Sequence, residues 1–406
     1  MSTPSDTDLL DADLRALSAF GADGEAVTRI AWTTQLREAY EWLAGRCAAM
    51  GLAVEIDAAG NLIAKWQAAD GLAVVMGSHI DTVPQGGRFD GALGVIGGLH
   101  AIRLLQERGV QPTRPVWLIA FMDEENTRFG TALFGSRAFA GEDLGALSDR
   151  VDRDGITLVE AMRGWDRDLA GLGQARAIDQ VGTYLELHIE QGPQLEVESI
   201  DVGVVTSIVG IVGYRVSITG QANHAGTTPM HLRRDALAGA ARIVLGVRGL
   251  ALERPGATAN VGVIAVEPGG SNVVPGHGTL TLDLRFPTDD GLAELETAAI
   301  GLVQDVCSDE GLGVTFESTY RIPAAPMDTT LIASLEQSAR LEEATVRTMP
   351  SGAGHDAMVM ARYVPTAMIF VPSRNGISHS PAEHTSPEHC ALGARILART
   401  VASLVA

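Results

Sequence analysis

Cys47, Cys307 and Cys390 are the only cysteines in 406 residues, too few and too scattered to staple a fold. Their number is odd and they form no CxxC pair, so they read as reduced, buried thiols and exclude a disulfide framework or a thiolate zinc site. Basic residues are also scarce. Against 50 Asp and Glu stand 30 Lys and Arg, a formal net charge of −20. That charge repels phosphate backbones, which argues against nucleic-acid binding and means that an anionic substrate needs a local basic group. No apolar run approaches the ~18 residues that cross a bilayer, so no membrane partner is expected. The opening MSTPSDTDLL has neither the basic nor the apolar region of a secretory signal, and a soluble cytoplasmic protein is expected.

What is present is ordinary globular material, 46% hydrophobic and 20% charged, at a length that suits two domains. Helical spacing over Leu36–Met50 stops at Gly51. Leu72–Met76 and Val116–Met122 are short apolar runs of the kind that form strands buried on both faces, with a helix at Val95–Leu105 between them. This is the pattern of an α/β fold with a largely parallel mixed sheet flanked by helices. From about Gly210 the pattern changes to strand Tyr214–Thr219, helix Asp235–Leu250, strands Asn260–Val266 and Thr279–Phe286, helix Asp289–Cys307 behind a Thr288 cap, and strand Gly313–Ser318. That βαββαβ order is a split-βαβ, ferredoxin-like arrangement. Helices near Leu331–Leu341 and Cys390–Leu404 and a strand at Ala367–Val371 then resume the first pattern. The expected division is therefore a discontinuous domain, residues 1–209 and 327–406, interrupted by a smaller one at 210–326.

Four polar stretches follow or interrupt these strands. In SHIDTVPQGGRFDGALGV, His79 and Asp81 lie at the carboxyl end of an apolar strand, two residues apart and so on one side of it. Ligands of open α/β sheets gather at such ends. An imidazole there can bind a metal through one nitrogen while a carboxylate fixes the other N–H. Asp90 follows the glycine-rich loop; the alternative reading is a surface turn. In FMDEENTRFG, Glu124 and Glu125 follow a second strand, and on an extended chain they point to opposite sides, one free to ligate and one to act as a base. An acidic loop is the alternative. In TYLELHIEQGP, His188 shares the polar phase with Glu186, as either a ligand or a satisfied core histidine. GISHSPAEHT offers His379, with His384 as a possible surface residue. His100, His231, His277 and His389 read as structural. Imidazoles and carboxylates in this mixture suit zinc, manganese, cobalt or nickel.

SHIDTVPQGGRFDGALGV, MDEEN, LHIEQGP, QANHAGTTPM, SNVVPG, GAGHDAM and ISHSPAE, in this order over almost the whole chain, resemble the hydantoinase/carbamoylase family of binuclear metal amidohydrolases. That family is related to aminoacylase and carboxypeptidase-type metallopeptidases. The resemblance implies two divalent cations per subunit, one held by His79, Asp90 and His188 and the other by Asp90, Glu125 and His379, with Asp90 bridging. It implies Glu124 as general base, Asp81 as the group orienting His79, and a cis peptide at Asp90–Gly91. His188 stands where other relatives use an aspartate. The inserted domain is implied to be a lid and homodimer contact. It would supply His224 to a developing oxyanion, possibly across the dimer, Arg285 to a substrate carboxylate, and Asn272 to orient substrate together with His355 and Gln191. On the strand pattern alone, Arg285 is as readily a solvated arginine paired with Asp283. Asn126 and His100 depart from the family pattern without touching a proposed ligand.

The activity implied is hydrolysis of an N-carbamoyl-L-amino acid to the amino acid, carbon dioxide and ammonia. Allantoate or another ureido acid is the second choice and an N-acyl amino acid or dipeptide the third. A non-catalytic ligand-binding relative and a purely structural dimer are the readings from other classes, and a free base beside a ligating carboxylate argues against both.

Overall fold

The computed structural model describes residues 5–66 and 70–406; the first four residues of the amino-terminal stretch read above lie outside it. The chain divides into two compact units. The first comprises residues up to 206, 327–349 and 353–406, and the second 207–326 and 350–352.

In the first unit a mixed sheet is centred on four parallel strands in the order Thr366–Val371, Val181–Ile189, Ala73–His79 and Val116–Phe121. Antiparallel strands flank them: Val202–Ile208 beside Thr366–Val371, and Leu62–Trp66 followed by Ala53–Ile56 beside Val116–Phe121. The strands Ala73–His79, Val116–Phe121 and Thr366–Val371 are buried along their whole length, which parallel strands require because both faces are covered by helices. The helices of this unit include Asp6–Ser18, Thr34–Ala49, Ala92–Glu107, Thr329–Leu341 and Pro387–Val405. The helix Asp6–Ser18 and the hairpin 53–66 were not expected from the sequence. The helix starts at a Ser5/Asp8 capping box and buries Leu10, Leu14 and Leu17 at helical spacing, signals present in the sequence that the reading passed over. All three cysteines are free and buried.

Because the central strands are parallel and in register, His79 pairs beside Phe121 and His188 beside Phe370. The carboxyl ends of four strands thus share one edge, and residues 79–90, 122–125, 188–191 and 372–383 all leave from it. The helix Ala92–Glu107 starts directly after Asp90 and lies against the sheet at close range. A Cβ on Gly94 would stand 2.5 Å from the Leu187 carbonyl oxygen and 2.7 Å from Ser78 Cβ.

The second unit has the element order βαββαβ. Its antiparallel sheet runs Thr258–Glu267, His277–Phe286, Gly210–Thr219, Gly313–Ile322. Helices Ala236–Leu252 and Asp289–Asp309 bury Ile243, Val247, Leu295 and Val303 against Val216, Ile218, Leu280 and Leu282. Asp235 and Thr288 cap the two helices through their side chains. No helix among the described residues is long and apolar enough to cross a membrane.

Candidate metal centre

Asp90 is the centre of the polar edge. Its Oδ1 lies 3.2 Å from His188 Nε2 and 3.9 Å from His79 Nε2, and its Oδ2 lies 3.2 Å from His379 Nε2. Glu125 Oε2 is 3.6 Å from His379 Nε2, and Glu124 Oε2 is 3.7 Å from His79 Nε2. Two groups of three donors therefore share Asp90: His79, Asp90 and His188, and Asp90, Glu125 and His379. Within each group the donor atoms lie no more than 4.8 Å apart. Two donors at about 2.0–2.1 Å from one tetrahedral cation stand roughly 3.3 Å from each other, so these spacings are those of ligands around a common ion.

Tautomers agree with that reading. His79 Nδ1 lies 3.0 Å from the Asp81 carbonyl oxygen and His188 Nδ1 2.9 Å from the Ile189 carbonyl oxygen. A carbonyl only accepts, so each Nδ1 carries its proton and each Nε2 is turned toward Asp90, that of His188 also accepting from the Gly91 N–H at 3.2 Å. Lone pairs aimed at a carboxylate repel it unless positive charge lies between them. With the protein's own groups alone that charge is a proton: although burial opposes it, the Asp90 hydrogen bond raises His188 to about 9. Likewise, although burial pushes Asp90 up, hydrogen bonds from His188 and His379 hold it well below the usual carboxylate range. His79 is pulled down to about 4 by burial. Glu125 Oε1 is buried without a hydrogen-bond partner among the described residues, an acceptor that a cation would satisfy. The donors present fit a metal.

Several sequence expectations are corrected in detail. The Asp90–Gly91 peptide is trans, and among the described residues the cis bond is Glu267–Pro268. Gly91 instead takes φ +63° and ψ −48°, with the Ala92 N–H donating to the Asp90 carbonyl at 2.6 Å. This three-residue turn redirects the chain into the helix without a cis bond. A side chain at Gly91 would fall on the His79 ring. Asp81 meets His79 through its main-chain carbonyl, while its carboxylate stands 3.7 Å from the ring. That carboxylate accepts instead from the Glu124 and Glu125 amides at 3.4 and 3.2 Å. Nor are Glu124 and Glu125 on an extended chain. Asp123 has φ +55°, and the bend that follows, not strand alternation, sends the two carboxylates to different imidazoles.

Burial, and next the charge of Glu125, raise Glu124 well above the carboxylate range. Burial and then Asp90 raise Glu125 to about 9. Gln191, at φ +57°, donates from Nε2 to Asp90 Oδ2 at 2.8 Å, and its Oε1 is buried with no hydrogen-bond partner among the described residues. His355 is buried, its ring edge-on to that of His188 at 4.4 Å.

Within the second unit, His224 is exposed and pairs with Val273, and the Ala225 N–H donates to the Asn272 carbonyl at 2.9 Å, so His224 and Asn272 are neighbours. Arg285 is bound to Asp283 at 2.7 Å and to the Gly352 carbonyl at 2.8 Å. It lies eight residues along its strand from His277, the end nearest Asn272, or roughly 25 Å at about 3.3 Å per residue.

Three buried groups escaped the sequence reading. Glu186 accepts from Ser78 Oγ (2.7 Å), Tyr184 Oη (3.2 Å) and the Ala357 N–H (2.9 Å). Arg29 donates to the Ile80 carbonyl at 2.6 Å and its N–H to Thr82 Oγ1 at 2.8 Å, gripping both neighbours of Asp81. Glu383 accepts from the Phe89 and Asp90 amides. Glu383 lies in ISHSPAE, but no pattern marks a carboxylate whose partners are amides far away in the chain.

The profile of peptidase family M20/M25/M40 matches residues 75–403. The chain belongs to that family. Among M20 relatives, it is 38% identical to a protein named N-carbamoyl-L-amino-acid amidohydrolase from Paenarthrobacter aurescens, with 97% of each chain covered. It is 34% identical to an allantoate amidohydrolase from Bacillus subtilis, covering 94% of this chain and 93% of that one. A crystal structure of a hydantoinase/carbamoylase family amidase from Burkholderia multivorans superposes with a TM-score of 0.90 at 35% identity, over 98% of both chains. The M20 family is metal-dependent, and the donor groups of the Asp90 edge could hold a metal.

Proposed function

We propose that this M20 protein is a cytoplasmic, homodimeric amidohydrolase that cleaves the C–N bond of an N-carbamoyl-L-amino acid, giving the amino acid, carbon dioxide and ammonia. The observation that carries the reading is Asp90, whose two oxygens face different imidazoles with the extra carboxylate of Glu124 alongside. The relatives named N-carbamoyl-L-amino-acid amidohydrolase supply the substrate class.

His79, Asp90 and His188 would hold one divalent cation and Asp90, Glu125 and His379 a second. Zinc, manganese, cobalt or nickel would suit these donors. When bound, such cations supply Lewis acidity to a water and to the substrate carbonyl. Glu124 takes a proton from the attacking water and delivers it to the leaving nitrogen, a role for which its place beside His79, 3.7 Å from Nε2, suits it. Gln191 and His355 orient the ureido group. Arg285 takes the substrate carboxylate, exchanging part of its Asp283 pairing for it. His224 and Asn272, at the opposite end of the strand from Arg285, act on the partner's substrate as oxyanion donor and orienting group. The edge strand Thr258–Glu267, with Val263 and Ile264 half-exposed, supports a dimer through the second unit.

Allantoate is the alternative substrate, on the strength of relatives bearing that name. Ammonia release from a panel of N-carbamoyl-L-amino acids, allantoate and N-acetyl amino acids, with the enzyme loaded separately with zinc, manganese or cobalt, tests the reading. N-carbamoyl amino acids should be turned over fastest. Faster turnover of allantoate moves the substrate, and binding without turnover of any of them removes the enzyme.

A further inference from the structure

Of the three imidazoles facing Asp90, His379 is the one the fold holds least. His79 and His188 end buried strands and have their Nδ1 atoms fixed by carbonyls. The His379 side chain is 52% exposed, stands on a loop at φ +53°, and has no such Nδ1 partner among the described residues. Something other than its own ring contacts must keep it facing Asp90.

Glu383 is placed to do so. It is only 5% exposed, and Oε1 accepts from the Phe89 N–H at 2.9 Å and the Asp90 N–H at 3.1 Å. Oε2 accepts from Ser378 Oγ at 2.9 Å, and that hydroxyl is also 3.1 Å from Asp90 Oδ2. One carboxylate therefore ties the main chain of Asp90 to the residue immediately before His379, across nearly three hundred positions of sequence. The fold makes room for it: a side chain on Gly87 would fall on the Glu383 carboxyl and Cβ. Because each end of this link adjoins one donor, its length sets the distance between Asp90 and His379.

We propose that Glu383 is a positioning residue that clasps the His379 loop to the Asp90 turn, and that this clasp sets how tightly the Asp90–Glu125–His379 group retains its cation. The His79–Asp90–His188 group shares Asp90 with the clasp, but both its imidazoles are held by strand ends and main-chain carbonyls, so it is the less sensitive of the two. The proposal rests on the two-cation reading above.

The test is competition for zinc by a graded chelator, with metal content measured on the full-length protein and without any assay of turnover. Wild type should hold two equivalents of zinc. Glu383→Ala should release one of them at about 10–100-fold lower chelator concentration, the usual cost of losing a partner that orients a ligand, and keep the other to a concentration much nearer that of wild type. Gly87→Ala, which displaces the carboxyl without removing it, should do the same. Glu383→Gln should restore wild-type retention, since its carbonyl oxygen still accepts both amides and its NH2 can donate to Ser378 Oγ. His379→Ala marks which equivalent is lost. If Glu383→Ala does not fold, as judged by circular dichroism of the metal-free protein, Gly87→Ala and Ser378→Ala carry the comparison. Two tightly held equivalents in wild type with unchanged retention in these variants overturn the clasp alone. Fewer than two equivalents in wild type overturn the two-cation reading, and the clasp with it.

Discussion

Glu124 and Glu125 are adjacent in sequence, yet the Asp123 bend sends one toward His79 and the other toward His379. The proposed division into base and ligand thus rests on one residue of positive φ, with Asp81 accepting both glutamate amides to hold the bend. Glu124→Gln keeps the shape and removes the proton acceptor. It should lower kcat by 10²–10⁴-fold, the range for a positioned general base, with metal content unchanged and KM little altered. Loss of metal in this variant would instead make Glu124 a ligand, and unchanged kcat would take it out of the reaction. At this scale much was legible. His79, His188 and the glutamate pair stand where apolar runs stop, and the pattern that marks a buried strand is local. The glycine turn at Asp90, the main-chain role of Asp81 and the Glu383 link were not legible, because each depends on where a distant backbone group comes to lie.

The helix Ala92–Glu107 connects the element scale to the site. Gly94 and Gly97 let it rest on the strands that end in His79 and His188, with Ser78, Leu187 and its carbonyl where side chains would otherwise be, and Gly98 lets it rest on Leu118 of Val116–Phe121. Glycine inside a helix costs about 1 kcal/mol relative to alanine, so three on one face are retained against propensity for the sake of close approach. Gly94→Ala would press a methyl on the Leu187 carbonyl and Ser78, and should cost about 1–3 kcal/mol as overpacking, even though it improves helix propensity. Urea unfolding of the metal-free variant measures this; a gain in stability would mean that the helix is free to withdraw. The sequence shows this element as a helix from its spacing, but not that its glycines face the sheet. The βαββαβ order of the second unit was legible for the complementary reason, since its inner strand His277–Phe286 alternates one buried and one wetter face. That Arg285 and His224 lie near opposite ends of that strand required the register.

At the scale of the whole molecule, the fold buries more carboxylate than its own cations can balance. Burial raises Asp123 to about 7 and Glu125 to about 9, so each binds a proton more tightly folded than unfolded. Their contribution to stability is complete below the ordinary carboxylate pKa of about 4 and is lost as pH rises through those folded values. His188, raised to about 9 by Asp90 against the effect of burial, contributes fully below about 6.5 and also loses its contribution as pH rises through 9. His79, lowered to about 4 by burial, acts in the opposite direction, but its change is complete by about pH 6.5. Between pH 6.5 and 9 the three remaining groups act together, and chelated protein should lose stability steadily across that window. Cations held as proposed by Asp90, Glu125 and the imidazoles would replace the protons of Glu125 and His188, so the zinc-loaded protein should follow this decline only through Asp123. Thermal unfolding at constant ionic strength, with chelator or with zinc at pH 6.5, 7.5 and 9, should show the gap between the two Tm values widening with pH. A gap that stays constant or narrows would mean that the buried carboxylates of the metal-free fold are already balanced, and that the stored negative charge is not what recruits the metal.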